Sequence, residues 1–172
     1  MTAAVTLLSY NIHKGFSSRN VRFILSELKQ AIMDVGADIV FLQEVVGDHA
    51  GHRQKIASWP SEAQFEYLAD TVWSHYAYGK NAVYDQGHHG NAILSKFPIV
   101  VDENHDISVG KHEQRGLLRA RVAVDDQEQS TSLECFCTHL GLFRRGRDAQ
   151  FRMLAEHIDA VVPREQPIVL AG

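Results

Sequence analysis

Apolar runs that end in polar side chains divide the N-terminal part of the chain into a strand, a helix and a second strand. The apolar run from Val5 to Leu8 leads into Ser9, Tyr10, Asn11, Ile12 and His13, and the four apolar residues 39–42 lead directly into Gln43 and Glu44. Between the two runs, apolar residues recur at helical spacing. They are Val21, Ile24, Leu25, Leu28, Ile32 and Val35. Asn20 is the predicted N-cap of this helix and Gly36 its stop signal.

This strand-helix-strand order predicts where the polar residues meet. Two strands of one sheet that are joined through a crossover helix are nearly always parallel, so both end at the same edge of the sheet. We therefore expect Asn11 and Glu44 to be neighbours. Ligands of open α/β sheets bind beyond the carboxyl ends of parallel strands. The pattern thus predicts a binding or catalytic site at this edge.

The rest of the chain continues as an α/β pattern. A helix is predicted to begin at Ser61, with Gln64 at capping-box spacing, followed by a strand from His75 to Gly79 and a long loop rich in glycine and histidine that ends at Gly90. Further strands are predicted over residues 91–95, from 99, over 117–124 and over 132–140, with a hairpin connection at 125–130. A third helix carries the apolar stripe of residues 151–162 and is closed by Pro163, and residues 167–172 form one more buried strand.

Composition indicates one globular domain over residues 1–172. The chain has 45% apolar residues, a formal net charge of -4 and a pI near 6.2, which give no general attraction to nucleic acid. No apolar run approaches the roughly 20 residues of a transmembrane helix, and the N-terminus lacks the layout of a signal peptide, so we expect a cytoplasmic protein without a transmembrane segment. Two cysteines, Cys135 and Cys137, are too few for a disulfide framework. No stable protein partner is indicated.

Glu44 and Asn11 offer the hard oxygen atoms that suit Mg²⁺, an ion that keeps several waters and needs only one or two protein carboxylates. The structural alternative is that Glu44 caps a neighbouring loop and Asn11 stabilises a turn. The pattern alone leaves both interpretations open.

His139 ends a strand that carries Cys135 and Cys137 on the same face, by the two-residue period. A zinc site of these three residues is conceivable, but two cysteines at this spacing are better explained as small buried apolar residues. His139 is a candidate for hydrogen bonding to a phosphate oxygen or to the leaving group, and a structural histidine is the alternative.

Several basic residues could hold an anionic substrate. Arg144, Arg145 and Arg147 form a cluster that opens a helix, and such a cluster can bind an anion or simply face solvent. Arg115, at the start of a strand, could clamp a phosphate or pair with an acid such as Glu113. Three histidines are expected in or near the loops around the site: His13, His88 and His89.

Four short motifs follow one another along the chain. They are Ser-Tyr-Asn-Ile-His at 9–13, Leu-Gln-Glu at 42–44, Gly-Asn-Ala-Ile-Leu-Ser at 90–95 and Thr-His-Leu at 138–140. In this order and at this spacing they resemble the endonuclease/exonuclease/phosphatase superfamily. The superfamily includes deoxyribonuclease-like nucleases, abasic-site endonucleases, neutral sphingomyelinases and inositol polyphosphate phosphatases. The resemblance implies a two-sheet α/β sandwich of the deoxyribonuclease-like type and a metal-dependent phosphoesterase. Gln-Arg-Gly-Leu-Leu at 114–118 looks closer to the bacterial sphingomyelinase-like branch than to the DNA-repair branch.

The resemblance also implies roles for individual residues. Glu44 would bind Mg²⁺, with Mn²⁺ as the alternative ion, Asn11 would contact the metal site or the phosphate, His139 would support the phosphoryl group, and Asn91 would order the site from its strand. The candidate residues are therefore His139, Asn11 and Arg115 for catalysis, Asn91, His13, Arg144 and Arg145 for substrate binding, and Glu44 and Asn11 for the metal. The substrate would be a phosphate ester, whether nucleic acid, phospholipid head group or small phosphoester. The implied activity is hydrolysis, most readily of a phosphodiester, by in-line attack of a water that Mg²⁺ organises.

The sequence departs from the superfamily at its C-terminal end. There, the strand that corresponds to residues 167–172 leads into an Asp-Phe-Asn type motif, and an Asp-His pair follows later, whereas this sequence stops at Gly172. It corresponds to the N-terminal portion of the fold and would be incomplete at the C-terminus. We expect the 172-residue chain to have weak activity or none and to self-associate through exposed sheet edges, so a binding or folding unit is the alternative function.

Overall fold

Two mixed β-sheets form the centre of the structure, a computed structural model that describes residues 4–111, 113–124 and 131–172. The first sheet has the strand order β1-β2-β4-β3, and the second has the order β5-β6-β7-β8. The strands are β1 (Leu7–Asn11), β2 (Ile39–His49), β3 (His75–Tyr84), β4 (Gly87–Ser95), β5 (Ile99–Asp106), β6 (Gly116–Ala123), β7 (Ser132–Thr138) and β8 (Ile168–Ala171). The helices are α1 (Leu25–Val35), α2 (Ala50–Lys55), α3 (Gln64–Ala69) and α4 (Arg144–Val161).

The sheets pack face to face between helices, which confirms the predicted two-sheet α/β sandwich. Alternate residues of β2 pack into two different hydrophobic cores. Ile39 and Phe41 contact the second sheet, whereas Val40 and Leu42 pack beneath α1 and α3. Helix α4 covers the outer face of the second sheet with Leu154. A strand buried on both faces carries apolar residues at every position, which accounts for the four apolar residues in a row.

The predicted crossover unit is confirmed, except for the start of its helix. Strands β1 and β2 are parallel and α1 connects them. Gly36 ends α1 with a φ of 68°, as a C-terminal glycine should. The prediction of Asn20 as N-cap is wrong, because Asn20 lies in a 3-10 turn with a φ of 56° and α1 begins only at Leu25. Val21, placed on the buried stripe by its spacing, is 79% exposed.

Two further sequence predictions along the first sheet need correction. Helix α3 begins at Gln64 rather than at Ser61, and its first turn is closed by the Glu66 carboxylate, which accepts a hydrogen bond from the N–H of Ala63 at 3.1 Å. The predicted loop up to Gly90 is instead a hairpin, in which β3 extends to Tyr84 and β4 starts at Gly87. Glycine and histidine suggested a loop there, but the backbone pairing of the hairpin outweighs their weak strand propensity.

In the second sheet, β6 and β7 pair antiparallel as predicted, although the expected connection at 125–130 lies outside the described residues. Strand β8 pairs in parallel with β7 but is only partly buried, because β7 is its only strand neighbour among residues 4–111, 113–124 and 131–172. Its apolar sequence suggested burial on both faces, which is wrong for Ile168 and Leu170. None of the described helices is long and apolar enough to cross a membrane.

Candidate functional site

Glu44 lies in a β-bulge near the carboxyl end of the parallel β1–β2 pair. The pairing of β2 with β4 shifts between Leu42 and Val45, and Glu44 has a φ of 55°. A left-handed backbone conformation is unfavourable for a residue with a Cβ and is found mostly where surrounding structure enforces it, often at functional sites. The bulge follows the continuous apolar run of β2 and presents a carboxylate at a half-buried position.

Three side chains surround the Glu44 carboxylate. The Asn11 amide donates a hydrogen bond to Glu44 Oε1 at 3.1 Å, and His139 Nε2 lies 3.4 Å from the same oxygen. His13 Nδ1 lies 3.5 Å from Oε2. The Asn11 carbonyl oxygen accepts the backbone N–H of His13 at 2.9 Å, so Asn11 fixes both the acid and the start of the following loop. The predicted meeting of Asn11 and Glu44 is confirmed.

The surroundings of Glu44 keep it ionised and keep His139 neutral. Burial raises the pKa of Glu44, but the Asn11 hydrogen bond and the nearby positive charges, Lys14 among them, lower it by more, so its pKa lies below the ordinary value. Burial lowers the pKa of His139, and the neighbouring Arg115 lowers it further. At neutral pH the pair therefore offers an anionic oxygen ligand beside an uncharged imidazole.

A second bulge completes a narrow cleft next to Glu44. The pairing of β3 with β4 shifts at Asn81, so the bulges of β2 and β3 flank the same residue, Gly90 of β4. A side chain at Gly90 would collide with the carbonyl oxygen of Gly79, which explains the glycine. The cleft has a volume of about 10 Å³, room for about one water or ion. Its lining residues are Glu44, Asn81, His89, Gly90, Asn91, Gln114, Arg115 and His139.

Arg115 lines the cleft and also faces Glu113, the acid that was considered as its partner. Its guanidinium Nη2 lies 3.6 Å from Glu113 Oε1, and its backbone N–H donates to Ser108 Oγ at 2.9 Å. Its Nε is buried without a hydrogen-bond partner among the described residues. A buried donor without a partner is costly, which makes this nitrogen a candidate donor for a bound ligand.

Asn91 joins the two sheets beneath the cleft. Its side-chain amide donates to the carbonyl oxygens of Gly116 at 3.1 Å and Cys137 at 3.3 Å, and the residue is almost fully buried. These bonds fix the strand ends that carry Arg115 and His139. The ordering role that the resemblance implied for Asn91 stays a prediction.

The zinc alternative finds no support. Among residues 4–111, 113–124 and 131–172, no three His, Cys, Asp or Glu side chains are grouped closely enough to hold a metal. Burial raises the pKa of both Cys135 and Cys137 to about 12, and the Cys137 thiol contacts Gln43 and the carbonyl oxygen of Leu42. Both cysteines belong to the core between the sheets, as expected for small apolar residues.

The structure does not bring every candidate into the cleft. Arg144 and Arg145 open α4 at exposed positions and are not among the residues that line the cleft, and Arg147 instead donates to the carbonyl oxygens of Gly141 and Leu142. His88 contacts the hydroxyl of Tyr78. The sequence analysis missed Asn81, Gln114 and Lys14, because their positions depend on strand bulges and on a 3-10 turn that leave no apolar periodicity. It named Gln114 only as part of a motif.

The residues present fit one divalent cation. Glu44 supplies an ionised carboxylate oxygen, the cleft has room for about one ion, and Mg²⁺ requires few protein ligands because waters and substrate phosphates complete its shell. Asn11 uses its amide nitrogen on Glu44 and its carbonyl oxygen on His13, so its first effect is to orient the carboxylate. A second lone pair on that carbonyl oxygen remains for an ion.

Comparison with known proteins agrees with this fold. A sequence profile of the endonuclease/exonuclease/phosphatase family matches residues 8–172. The chain is 48% identical over 166 residues to the uncharacterized protein YbhP of Escherichia coli K12, a match that covers 96% of this chain and 64% of YbhP. The chain thus spans less than two thirds of the length of that relative.

Solved structures at lower identity share the fold. An endonuclease/exonuclease/phosphatase from Beutenbergia cavernae superimposes with a TM-score of 0.73 at 22% identity, covering 98% of this chain and 46% of that one. The mannosyl-6-phosphatase Bt3783 of Bacteroides thetaiotaomicron superimposes with a TM-score of 0.66 at 16% identity, covering 97% of this chain and 64% of that one. At these identities the likeness establishes the two-sheet architecture.

Proposed function

Because the chain belongs to the endonuclease/exonuclease/phosphatase family, we propose that its protein is a Mg²⁺-dependent hydrolase of phosphate esters that acts on phosphodiesters. The observation that carries the proposal is the Glu44 carboxylate, held by Asn11 between His13 and His139 in a cleft with room for one ion. The family name covers nucleases and phosphatases, and Bt3783 is a phosphatase by name. The substrate and the whole protein's activity are part of this proposal.

Glu44 would hold the ion, and Asn11 would keep the carboxylate turned towards it. When bound, Mg²⁺ would neutralise charge on the phosphoryl oxygens and lower the pKa of a coordinated water. His13 Nδ1, 3.5 Å from Glu44 Oε2, contacts the carboxylate at the oxygen that Asn11 does not bond. Mn²⁺ also prefers oxygen ligands and would occupy the same position.

Arg115 and His139 would receive the phosphate. The buried Arg115 Nε and the guanidinium beside it can donate to phosphoryl oxygens, and the fixed donors of a guanidinium suit this geometry. His139, neutral at pH 7, can donate one hydrogen bond to a phosphoryl oxygen or to the leaving oxygen without adding a charge. Both side chains line the cleft with Glu44.

The charge of the cleft favours a diester over a monoester. Arg115 is the one arginine or lysine among the residues lining it, and Glu113 already faces that guanidinium at 3.6 Å. A phosphodiester carries a single negative charge, which one ion and one guanidinium can compensate. A monoester dianion would require more positive charge than the described cleft supplies.

The test is hydrolysis of bis(p-nitrophenyl) phosphate and of p-nitrophenyl phosphate by a form that continues past Gly172 to the length of its relatives. We expect Mg²⁺-dependent turnover, faster on the diester, that EDTA abolishes. Glu44→Gln should lower kcat/KM by about 100-fold or more, the usual cost of removing a group that stabilises the transition state electrostatically. The matched control is Glu62→Gln, which removes an exposed carboxylate outside the cleft.

Two outcomes would contradict parts of the proposal. Full activity in Glu44→Gln would refute the metal assignment, and faster monoester cleavage would refute the diester preference. The 172-residue chain by itself should show little turnover, because Glu44 is the one carboxylate lining the described cleft. With Glu44 assigned to the ion and His139 to the phosphate, no further carboxylate remains there to accept a proton from water. Turnover by this chain at the rate of the longer form would show that no further residues are needed.

A further inference from the structure

A larger basic cavity adjoins the candidate cleft. It has a volume of about 510 Å³ and lies between the bulge of β3, the end of β5 and the segment that leads into β6. The cavity is lined by Lys80, Asn81, Asn104, Asp106, Ser108, Gly110, Lys111, Gln114 and Arg115. Asn81, Gln114 and Arg115 also line the cleft that contains Glu44. The two spaces therefore share a wall of three polar side chains.

The cavity lining is positively charged. Lys80, Lys111 and Arg115 face a single lining carboxylate, Asp106, which accepts the backbone N–H of Ser108 at 2.8 Å. Arg115 has Glu113 nearby, but within residues 4–111, 113–124 and 131–172 neither lysine has an acidic group within 4.0 Å. Unpaired cations around a concave surface attract anions.

Two amide side chains of the shared wall are held by hydrogen bonds to their oxygen atoms, and among the described residues their NH₂ groups remain free to donate. Gln114 Oε1 accepts the backbone N–H of Val83 at 3.1 Å, and Asn81 Oδ1 accepts the Asn104 amide at 3.1 Å. Each of these side chains therefore uses its acceptor on the protein and keeps an NH₂ group that can donate to a ligand.

Two glycines make room for this arrangement. A side chain at Gly79 would collide with Asn104, and one at Gly116 would collide with Asn81 and Asn104. The asparagines thus occupy space that a larger residue on β3 or β6 would remove. Asn104 also bonds the Lys80 carbonyl oxygen at 3.3 Å, which joins β5 to β3 across the two sheets.

From this geometry we infer that the cavity binds a second phosphate group of the substrate. The inference rests on the proposed function of the cleft and deepens it: the phosphoester cleaved beside Glu44 carries another phosphate on the same molecule. That group is held by Lys80 and Lys111 with the free amides of Asn81 and Gln114, and Arg115 lies between the two phosphates. A substrate with only one phosphate would place no anion in this cavity.

Binding is measured first, because it does not depend on catalysis. Dipropyl phosphate and its bisphosphate analogue, propyl 3-(phosphonooxy)propyl phosphate, are titrated calorimetrically in the presence of Mg²⁺ into the 172-residue chain, which contains the residues named as the cavity lining. We expect the bisphosphate to bind at least about tenfold more tightly, the effect of roughly 1.4 kcal/mol from added charged hydrogen bonds. Lys80→Gln combined with Lys111→Gln should remove this difference. Lys55→Gln, on α2 and outside both spaces, is the matched control and should keep it.

Hydrolysis is measured next in the longer form. The matched substrates are p-nitrophenyl propyl phosphate and p-nitrophenyl 3-phosphopropyl phosphate, which differ only in the second phosphate. The double lysine variant should lose about tenfold in kcat/KM on the second substrate and much less on the first. Circular dichroism and thermal unfolding confirm that each variant is folded.

The outcomes separate the inference from the proposed function. Equal binding of both propyl compounds by the wild-type chain overturns the inference, whether or not hydrolysis occurs. Lysine-dependent bisphosphate binding without hydrolysis of either ester would support the cavity and count against the proposed function. Inorganic phosphate that binds as tightly as the bisphosphate would make the cavity a site for a free anion and would overturn its assignment to the substrate.

Discussion

At the scale of single residues, Glu44 combines an unfavourable backbone with a well-ordered side chain. Its φ of 55° costs about 1–2 kcal/mol relative to an ordinary strand residue. The Asn11 hydrogen bond and the register of β2 against β4 hold it in that conformation. The fold therefore sustains a local cost to present this acid.

This cost predicts an unusual order of stabilities at position 44. Glu44→Gly should be more stable than Glu44→Ala by about 1 kcal/mol, because both remove the carboxylate but only glycine adopts a positive φ without strain. In a regular strand, alanine would be the more stable of the two. Urea unfolding of both variants measures the difference, and a more stable alanine variant would show that the backbone at this position is unstrained.

His89 predicts how stability depends on pH. Burial, reinforced by the charges of Lys14 and Arg115, lowers the pKa of His89 to about 4 from 6.5. The unfolded chain then binds more protons than the folded one between these values, so the free energy of unfolding falls as the pH drops from 6.5 towards 4. His89→Gln should reduce this loss in urea unfolding at pH 7 and pH 5. The same substitution at His75, at the other end of the hairpin and outside the cleft, is the matched control.

At the scale of elements, the sequence predicted strands and helices where burial is periodic and missed their ends. The crossover unit, the β6–β7 pair and the pairing of Asn11 with Glu44 follow from apolar periodicity and from the parallel rule. The starts of α1 and α3 do not, because a 3-10 turn and the Glu66 carboxylate set them. The bulges were not predicted either. Each adds one residue to a strand, and its position can be seen only from the pairing with the neighbouring strand.

Two glycines in different elements predict opposite effects of adding a methyl group. Gly90→Ala should lower the free energy of unfolding by about 2 kcal/mol or more, because its Cβ meets the Gly79 carbonyl oxygen in the bulged β3. Gly146→Ala should raise it by about 0.5–1 kcal/mol, because this position lies within α4 with nothing near the added atom. Thermal or urea unfolding compares the two, and equal shifts of one sign would contradict the described packing around Gly90.

At the scale of the whole molecule, buried polar groups as well as apolar cores hold the layers together. Glu134 is fully buried between Arg119 and Arg121, and Arg119 also reaches the Val161 carbonyl oxygen at the end of α4. On the cleft side, Asn91 and Asn104 join the two sheets. The sequence did not predict these polar contacts because, unlike Asn11 and Glu44, their residues do not lie at the ends of a recognisable strand-helix-strand unit.

The edge of the second sheet predicts self-association. Strand β8 has β7 as its only strand neighbour in the described parts of the chain, and Leu170 is 46% exposed. An unpaired edge with exposed apolar side chains favours pairing with another copy. We expect the light-scattering mass of the 172-residue chain to rise with concentration, and Leu170→Lys to reduce the rise. Leu142→Lys, on an exposed loop, is the control; a monomer at all concentrations would contradict the prediction.

In the spacing of the buried residues of β2, Glu44 corresponds to one inserted residue. Val40, Leu42 and Val45 all belong to the core beneath α1 and α3, a spacing of two and then three. If Glu44 were absent, the spacing would be two throughout, as in an unbroken strand. Loss of one codon would thus remove the acid and leave the apolar faces of β2 unchanged. A homologue could therefore lose the activity of this cleft through a single deletion and still keep the fold.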